Sequence, residues 1–201
     1  MGRIVKEGLF NQIAPVYGMF FENQKRGYGF VPTLMVEIGI MRQMNVLDVG
    51  CGTGALASVL RDEGFRVTGT DPSKEMLNIA KWKTRGQSIP FVPLVQKGKL
   101  PFEDKTFDVV IASYVLHGLK KAERLLLYSE MQRVARKKVI IHDYNKNRSL
   151  PISIIEWLEG GDYFNFIHLA EQEMKEIFTA VEVHDVGKRA AWYVLSVENI
   201  N

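Results

Sequence analysis

The sequence predicts a doubly wound α/β fold: a mostly parallel seven-stranded sheet that ends in a C-terminal antiparallel hairpin, with helices on both faces. Short apolar runs with little alternation of polar and apolar residues recur along the chain, as is typical of strands covered on both faces of a sheet. Segments with helical spacing of apolar residues lie between them, and such alternating units imply right-handed crossovers. Near the C-terminus, two strand-like runs separated by a short turn predict the hairpin.

Five apolar runs predict the parallel strands. In chain order they are Val46–Val49, Phe65–Gly69, Phe91–Val95, Phe107–Ser113 and Lys138–His142. The two hairpin strands follow at Thr179–Val186 and Ala190–Val197, on either side of the sequence GKR. The sheet is therefore expected to have an antiparallel edge.

Helices are predicted between these strands. Ala55–Glu63 has apolar residues on one face, and a second helix begins at Ser73, whose side chain can cap it. Lys120–Val134 is a third helix, with Leu126 among the residues that are expected to face the core.

The chain before the first strand also has a helical pattern, over Phe10–Phe21 and Phe30–Met44. We therefore expect residues 1–44 to form an N-terminal helical lid segment and residues 45–201 to form the α/β domain, in a single domain overall. The length of 201 residues suits one domain with a full core.

Composition and charge exclude several functional classes. The net charge of +3 is too slight to indicate a nucleic-acid partner. The single cysteine, Cys51, permits no internal disulfide and no cysteine-based zinc site, and no other metal site is predicted. The first ten residues lack the apolar core of a signal peptide, and no apolar run approaches the roughly 20 residues of a membrane span. We expect a cytoplasmic protein that binds no membrane, and the sequence leaves its oligomeric state open.

The segment VLDVGCGTG is the strongest functional signal. Its glycines, Gly50, Gly52 and Gly54, directly follow an apolar strand, and this density predicts a loop that a ligand approaches closely. The spacing of the first two glycines and Ala55 fits the dinucleotide-binding fingerprint. Asp71 lies about 20 residues further on, where a ribose-binding acid belongs. On these residues alone, a nicotinamide-dependent oxidoreductase is one of the candidate functions.

Asp48 favours a different ligand. It sits at the carboxyl end of the first strand, two residues before the first glycine, and a carboxylate close to a pyrophosphate would repel it. A ligand that carries positive charge would suit this position. S-adenosylmethionine has an ammonium group, a sulfonium group and a ribose that Asp71 could hold.

Three segments together resemble a known family. VLDVGCGTG followed by VTGTDPS is similar to the first two signature segments of the class I S-adenosylmethionine-dependent methyltransferases, and LPFEDKTFDVVIASYVLHGL resembles their fourth-strand segment. The resemblance covers roughly Phe10 to Val197, and the closing hairpin fits the family's seven-stranded sheet. It implies S-adenosylmethionine as the cofactor and methyl transfer as the reaction. We expect a small-molecule acceptor, while a non-catalytic cofactor-binding protein stays open as an alternative.

The resemblance also implies roles for individual residues. Asp48 would support the loop and the positive end of the cofactor, and Asp71 would bind both ribose hydroxyls. The change Asp71→Ala is expected to abolish cofactor binding with little loss of stability. Ser113 would line the cofactor near its methyl group. The implied cofactor-binding set is Asp48, Gly50, Cys51, Gly52, Gly54, Asp71, Pro72, Met76, Gln96, Lys97 and Ser113.

Several of these positions would contact the adenine ring of the cofactor. Pro72 and Met76 would flank the ring. Gln96 stands where the family often has an acid that accepts a hydrogen bond from the adenine amino group, and the alignment can also shift to Lys97. A glutamine amide oxygen can still accept such a bond, although more weakly than a carboxylate.

Candidate catalytic residues follow strands four and five. Methyl transfer is a displacement at carbon that depends mainly on positioning, and a general base is needed only for a weakly acidic hydroxyl or a protonated amine. His117 and His142 are candidate bases, although a histidine at such a position is more often structural. The N-terminal FNQIAPVYGMF resembles the lid segment of quinone-type methyltransferases, in which Tyr17 would lie by the cofactor; Gly18 replaces the acid that commonly follows.

An aromatic segment near the C-terminal third is expected to cover the substrate pocket. Such a cover would exclude water and favour a flat or apolar acceptor. Gly160 and Gly161 could act as its hinge. The aromatic residues are Trp157, Tyr163, Phe164 and Phe166.

Overall fold

The structure, a computed structural model, describes residues 18–96, 98–146 and 162–197. The strands in these ranges are β1 Asn45–Val49, β2 Arg66–Asp71, β3 Phe91–Pro93, β4 Phe107–Ser113, β5 Ala135–Tyr144, β6 Ala180–Gly187 and β7 Ala190–Ser196. They form one seven-stranded sheet in the order β3-β2-β1-β4-β5-β7-β6. The predicted mostly parallel sheet with an antiparallel C-terminal end is confirmed.

The chain divides into two compact units, Met1–Val95 and Gln96–Asn201. In the first unit, β2 pairs in parallel with both β1 and β3. The register places Asp48 opposite Gly69 and Asp71 opposite Pro93, so both acids lie toward the carboxyl ends of their strands. The helices described in this unit are α1 Phe21–Tyr28, α2 Val31–Glu37, α3 Ala55–Asp62 and α4 Lys74–Lys83.

In the second unit, β4 and β5 are parallel, and β7 pairs antiparallel with both β5 and β6. A 3-10 turn at Leu116–Gly118 follows β4. The helices are α5 Lys121–Val134 and α6 Tyr163–Lys175, of which the sequence analysis did not predict the second. In the part of the chain that the structure describes, no helix is long and apolar enough to cross a membrane.

Helix α2 is shorter than the predicted Phe30–Met44 because the chain turns at Gly39. This glycine has a φ of 83°, in the left-handed region, and ends the helix in a Schellman arrangement. The N–H of Ile40 donates to the carbonyl of Met35 at 2.9 Å, and that of Gly39 donates to Val36 at 3.0 Å. The predicted helix Phe10–Phe21 lies mostly outside the described residues, and α1 begins where it was expected to end.

The buried face of α5 is also different from the prediction. Leu126 is 55% exposed, whereas Arg124, Tyr128, Met131 and Val134 are buried. Arg124 takes the place of a leucine on the core-facing side of α5. Its charge is compensated there by acidic side chains that contact it, as described below. Apolar periodicity alone cannot indicate such a buried arginine.

Strands β3 and β5 differ most in length from their predictions. Strand β3 ends at Pro93, short of the predicted Val95, and the last hydrogen bond to β2 is from the N–H of Leu94 to the carbonyl of Asp71, at 3.1 Å. Strand β5 extends the predicted Lys138–His142 in both directions, to Ala135–Tyr144. This extension places Asp143 inside the sheet, fully buried, which is important for the site described next.

Candidate functional site

The glycine-rich loop joins β1 to α3 and is fixed to β2 by its backbone. The N–H groups of Gly50 and Cys51 both donate to the carbonyl of Thr70, at 2.8 and 3.1 Å. Gly54 has a φ of 79°, and a β-carbon there would lie only 3.0 Å from the β-carbon of Ala80. Gly54 is therefore required for packing as well as for conformation.

Gly52 has a different environment. Its φ is 51°, and a β-carbon added to it would have no atom of the described residues within 4 Å. The loop is thus tightly packed at Gly54 and opens onto unfilled space at Gly52. A glycine next to such space fits close approach of a ligand to the backbone.

Asp71, at the end of β2, joins the loop to the next helix. Its Oδ2 accepts from the N–H of Gly52 at 2.9 Å, and its Oδ1 accepts from the N–H of Ser73 at 2.8 Å. Ser73 in turn caps α4, since its Oγ accepts from the N–H of Met76 at 3.2 Å, as predicted. The carboxylate is 8% exposed, and burial raises its pKa against the opposing effect of the two N–H donors. A carboxylate has further lone pairs, so Asp71 can accept from a ligand as well.

Asp48 is almost completely buried beneath the loop. Burial, followed by the charge of Asp71, raises its pKa to about 7, and a hydrogen bond from the backbone of Ala57 opposes this shift. No group among the described residues donates a hydrogen bond to its Oδ2. A buried carboxylate oxygen without a donor is costly, and a ligand that carries hydrogen-bond donors or positive charge would satisfy it.

The remaining candidates of the first unit occupy different environments. Cys51 is a buried free thiol whose pKa is raised well above its usual value by burial and by the nearby carboxylates, which favours packing over reactivity. Met76 is buried in the core, 3% exposed, whereas Pro72 is exposed. The structure therefore brings Asp48, the glycines and Asp71 together, while the positions predicted to flank adenine differ from each other in burial.

The other predicted cofactor residues belong to the second unit. Gln96 is exposed, and Lys97 lies outside the described residues. Ser113 ends β4, and its Oγ lies 2.9 Å from Nδ1 of His142 on β5. Tyr17, Trp157, Gly160 and Gly161 also lie outside the described residues.

A histidine–aspartate pair joins the 3-10 turn after β4 to the end of β5. Nδ1 of His117 is 2.7 Å from Oδ1 of Asp143, which is fully buried. The carboxylate is held by three backbone donors: Leu116 and His117 on Oδ2, at 3.0 and 3.3 Å, and Tyr144 on Oδ1, at 2.8 Å. Asp143 therefore has a fixed position. The sequence places Asp143 in the polar run HDYN at the end of the fifth strand, a candidate position, but it does not indicate the contact with His117.

Aromatic rings surround this pair. The ring of Tyr144 lies 4.8 Å from that of His117, 5.3 Å from Tyr114 and 5.1 Å from Tyr163, all edge to face. Tyr114 has a φ of 55°, an unusual conformation for a residue with a side chain, and its ring is partly exposed. Such strain directly after a strand is typical of functional sites.

His142 has a more structural environment than His117. It lies within β5, 3% exposed, and burial lowers its pKa to about 4 against the opposing charge of Asp143. It is therefore neutral at physiological pH and weakly basic. Its Nδ1 is engaged with Ser113, which suits a role in linking β4 and β5.

A buried ion cluster connects the loop of His117 to α6. Arg124 on α5 is fully buried and makes a bidentate pair with Glu173, at 2.7 and 2.8 Å. Its Nη1 also donates to Asp162 at 2.9 Å, and the N–H of Asp162 donates to the carbonyl of His117 at 3.1 Å. Phe166 packs under Arg124 and is fully buried, so the expectation that it covers a substrate pocket is wrong.

Of the other aromatic residues in that segment, Tyr163 is 1% exposed and Phe164 is 40% exposed. Phe164 alone of the described members has a surface that could cover a ligand. Among the described residues, no group of three or more metal-ligating side chains is placed to hold a metal ion.

Comparison with known proteins identifies methyltransferases among the relatives of this chain. A family model described as a methyltransferase domain matches residues 47–142. A protein of Staphylococcus carnosus named as an uncharacterized methyltransferase is 25% identical over 191 residues, which are 89% of this chain and 88% of that protein. The ubiquinone/menaquinone biosynthesis C-methyltransferase UbiE of Campylobacter jejuni is 27% identical over 149 residues, which are 66% of this chain. The match spans only 60% of that enzyme's length.

A solved structure supports the fold. The crystal structure of a protein from Pyrococcus horikoshii OT3 superposes with a TM-score of 0.71 at 25% identity. The match covers 88% of this chain and 92% of that chain.

Proposed function

We propose that this chain is a class I S-adenosylmethionine-dependent methyltransferase that transfers the methyl group of its cofactor to a small organic acceptor. The methyltransferase-domain model that matches residues 47–142 and the relative named as a methyltransferase support this proposal. The observation that carries the proposal is the unsatisfied Oδ2 of Asp48, buried beneath a loop that opens at Gly52. S-adenosylmethionine supplies an electrophilic methyl group on a positively charged sulfur. The chain's own residues bind and orient it.

The donor and acceptor groups of the loop fit this cofactor. The carboxylate of Asp48 suits a cationic ligand, and its proximity to the loop is unfavourable for a pyrophosphate. Asp71 retains lone pairs for ribose hydroxyls while it holds the N–H groups of Gly52 and Ser73. Both curated relatives described above are named methyltransferases, which supports neither an oxidoreductase nor a non-catalytic protein.

The N-terminal helices are proposed as part of a lid over the loop. Thr53, between the second and third glycines, donates from its Oγ1 to Oε1 of Gln24 on α1 at 3.0 Å. Lys25 of the same helix pairs with Asp62 at the end of α3, at 2.9 Å. These contacts place α1 against the loop, so movement of α1 would change access to it.

A small molecule is the acceptor class that the chain best supports. The UbiE enzyme is named for ubiquinone and menaquinone biosynthesis, and the aromatic rings around His117 suit a flat organic molecule. The net charge of +3 gives little electrostatic attraction for nucleic acid.

The test is a transfer assay with methyl-labelled S-adenosylmethionine and a panel of small phenols, amines and thiols. Formation of S-adenosylhomocysteine together with a labelled small product is the expected result. The Asp71→Ala variant serves as the cofactor-site control and should form neither. Transfer of label to RNA or protein, with none to a small molecule, would contradict the proposed acceptor class.

A further inference from the structure

Contacts within the first unit hold the start of α1 beside α4. Gly18, just before α1, packs against Ile79 of α4, since a β-carbon at Gly18 would lie 3.3 Å from Cγ2 of Ile79. Further along both helices, Nζ of Lys83 lies 5.5 Å from the ring centroid of Phe21. The residues between Gly18 and Phe21 therefore lie beside the C-terminal half of α4.

Large apolar side chains are exposed on this part of the surface. Met19 is 80% exposed and Phe20 is 52% exposed, and both lie between the two residues that contact α4. Trp82, near the end of α4, is 60% exposed. Exposed apolar side chains that are grouped on one surface are typical of an interaction site.

Basic side chains accompany the exposed tryptophan. Nζ of Lys83 lies 5.0 Å from the ring centroid of Trp82, and Cζ of Arg85 lies 5.3 Å from it. Lys81, the preceding residue, is exposed. Among the described residues, no acid forms an ion pair with any of these three basic side chains. We name this surface the basic–aromatic patch, which consists of Met19, Phe20, Lys81, Trp82, Lys83 and Arg85.

Acidic residues near the patch are few. The acidic residue of α4 is Glu75, which lies in the first turn, at the opposite end of the helix from Trp82. Glu22 directly follows Phe21 on α1 and is exposed. The three basic side chains of the patch outnumber this neighbouring acid, so the patch has a net positive charge although the charge of the whole chain is slight.

We propose that the basic–aromatic patch docks the protein on the surface of a bilayer that contains anionic phospholipids. The basic side chains are attracted to the lipid phosphates, and tryptophan is well suited to the boundary between head groups and acyl chains. Binding of this kind strengthens with the inserted apolar area and with the attraction to anionic lipids, and the patch provides both. The expectation that the protein binds no membrane was based on membrane spans, which surface docking does not need.

A nucleic acid would use this patch less well than a bilayer. Affinity for nucleic acid depends mainly on the number of phosphates that are neutralised, and three cations neutralise few. The side chain of Met19 has no ring on which a base could stack and no hydrogen-bond donor. A bilayer accepts such a side chain at the acyl-chain boundary, so all of the patch contributes to binding.

The patch lies one helical turn from the contact between α1 and the glycine-rich loop. The N–H of Gln24 donates to the carbonyl of Phe20 at 2.9 Å, and Oε1 of Gln24 accepts from Thr53 in the loop at 3.0 Å. Docking through Phe20 would therefore bring the loop near the bilayer, where an acceptor dissolved in the lipid could reach it. This consequence rests on the proposed function, whereas the docking itself does not.

The experiment measures co-sedimentation of the full chain with vesicles of phosphatidylcholine and with vesicles in which the fraction of phosphatidylglycerol increases stepwise. Binding should increase with the phosphatidylglycerol fraction and decrease as salt is added, because salt screens the attraction. Addition of anionic vesicles should also shift the tryptophan emission to shorter wavelength, and the Trp82→Phe variant should lack this shift.

Two variants test the two components of the patch. A basic residue near an anionic surface contributes about fivefold to the partition coefficient, so Lys81→Gln combined with Arg85→Gln should lower it roughly 25-fold. Trp82→Ser should lower it by about tenfold or more, because apolar area that enters the bilayer is lost. These side chains are exposed, so urea denaturation should show wild-type stability in both variants.

The matched control is Lys121→Gln combined with Lys137→Gln. Both residues are exposed and belong to the second unit, and the control changes the net charge by the same amount as the patch variant. It should bind vesicles as the wild type does. An equal loss in the control and in the patch variant would mean that binding reflects net charge, and the proposal would be wrong.

Three outcomes with the wild type would overturn the proposal: no binding to anionic vesicles, equal binding to neutral and anionic vesicles, and binding of single-stranded RNA through the patch residues with none to vesicles. Calorimetric titration with S-adenosylhomocysteine tests the proposed function separately. A chain that binds this ligand but no anionic vesicle contradicts the docking alone. A chain that docks but binds neither S-adenosylhomocysteine nor S-adenosylmethionine confirms the docking and contradicts the proposed function alone.

Discussion

The carboxylate of Asp71 accepts a hydrogen bond from the backbone N–H of Gly52 at 2.9 Å, across 19 residues of sequence. The acid that is predicted to bind the cofactor ribose therefore also holds the loop that is predicted to approach the cofactor. Its second oxygen accepts from Ser73 at the start of α4. Ligand affinity and local stability are linked through one side chain.

This link changes the expected effect of Asp71→Ala. The sequence suggested a loss of binding with little loss of stability, but the side chain is buried and satisfies two backbone N–H groups. Leaving buried donors unsatisfied costs about 1–3 kcal/mol. We therefore expect loss of cofactor binding together with a reduction of that size in the free energy of unfolding, measured by urea denaturation. Asp71→Asn should retain one of the two hydrogen bonds and have an intermediate stability. If wild type and Asp71→Ala are equally stable, the carboxylate of Asp71 does not stabilise the loop and the start of α4.

The loop glycines provide a matched pair of substitutions. Gly54→Ala would place a β-carbon 3.0 Å from Ala80 and 3.1 Å from the ring of Phe91, at a φ of 79°. A left-handed conformation costs roughly 1–2 kcal/mol for a residue with a β-carbon, and the collision adds to this. Gly52→Ala carries the conformational cost alone, because its β-carbon would meet no atom of the described part of the chain within 4 Å.

We therefore expect Gly54→Ala to lower the free energy of unfolding more than Gly52→Ala does. We expect Gly52→Ala to weaken cofactor binding out of proportion to its effect on stability, because the new methyl group would occupy ligand space. Urea denaturation and calorimetric titration measure the two effects. Wild-type cofactor affinity in Gly52→Ala would place the ligand elsewhere.

Asp48 predicts a pH dependence of cofactor binding. Its pKa is raised to about 7, so the carboxyl group is largely protonated in the ligand-free protein at pH 6. A cationic ligand favours the ionised form. Affinity for S-adenosylmethionine should therefore increase as the pH rises from 6 to 8, with release of a proton on binding that calorimetry in buffers of different ionisation enthalpy detects. The Asp48→Asn variant should lose this pH dependence of the affinity and bind S-adenosylmethionine more weakly.

The raised pKa of Asp48 affects folding stability in the opposite direction to ligand binding. Because the pKa of Asp48 is higher in the folded chain than in the unfolded chain, its contribution to stability is present below about pH 4 and is lost as the pH rises through about 7. Asp48→Asn should therefore stabilise the ligand-free protein at pH 8 while it weakens binding. A variant that is less stable than wild type at pH 8 would show that the carboxylate is satisfied in the absence of ligand.

Because Arg124 and Glu173 form a buried ion pair, we expect substitutions at the two positions to have strongly non-additive effects on the free energy of unfolding. Removing one partner leaves a buried charge uncompensated and costs about 3–5 kcal/mol, whereas replacing both with apolar residues removes that penalty. Arg124→Met and Glu173→Leu should each destabilise the protein strongly, and the double variant should be more stable than either. Additive losses in the double-mutant cycle would mean that the two side chains act independently.

Much of the fold could be predicted from local patterns. Strand β4 has the predicted bounds because its apolar run is bounded by polar residues, and the cap of α4 follows from a serine before a helical pattern. The end of α2 was missed although Gly39 is in the sequence, since the left-handed conformation of this glycine outweighed the helical pattern that continues beyond it.

The candidate site was predictable where a motif of fixed spacing carries it. Gly52, Gly54 and Asp71 are close together because β1 and β2 are adjacent and parallel. The role of Asp143 was not predictable, because its contact with His117 joins residues 26 apart and depends on the pairing of β4 with β5. Arg124 was missed for a similar reason, since Glu173, its partner, is 49 residues away.

The most direct test of the central claim, that the loop at Gly52 binds S-adenosylmethionine, is isothermal titration of the wild-type protein. The ligands are S-adenosylmethionine, S-adenosylhomocysteine and the oxidised and reduced nicotinamide dinucleotides. The account predicts binding of the first two, which Asp71→Ala abolishes, and no binding of the dinucleotides. Binding of a dinucleotide, or of S-adenosylmethionine with equal affinity in Asp71→Ala, would contradict it.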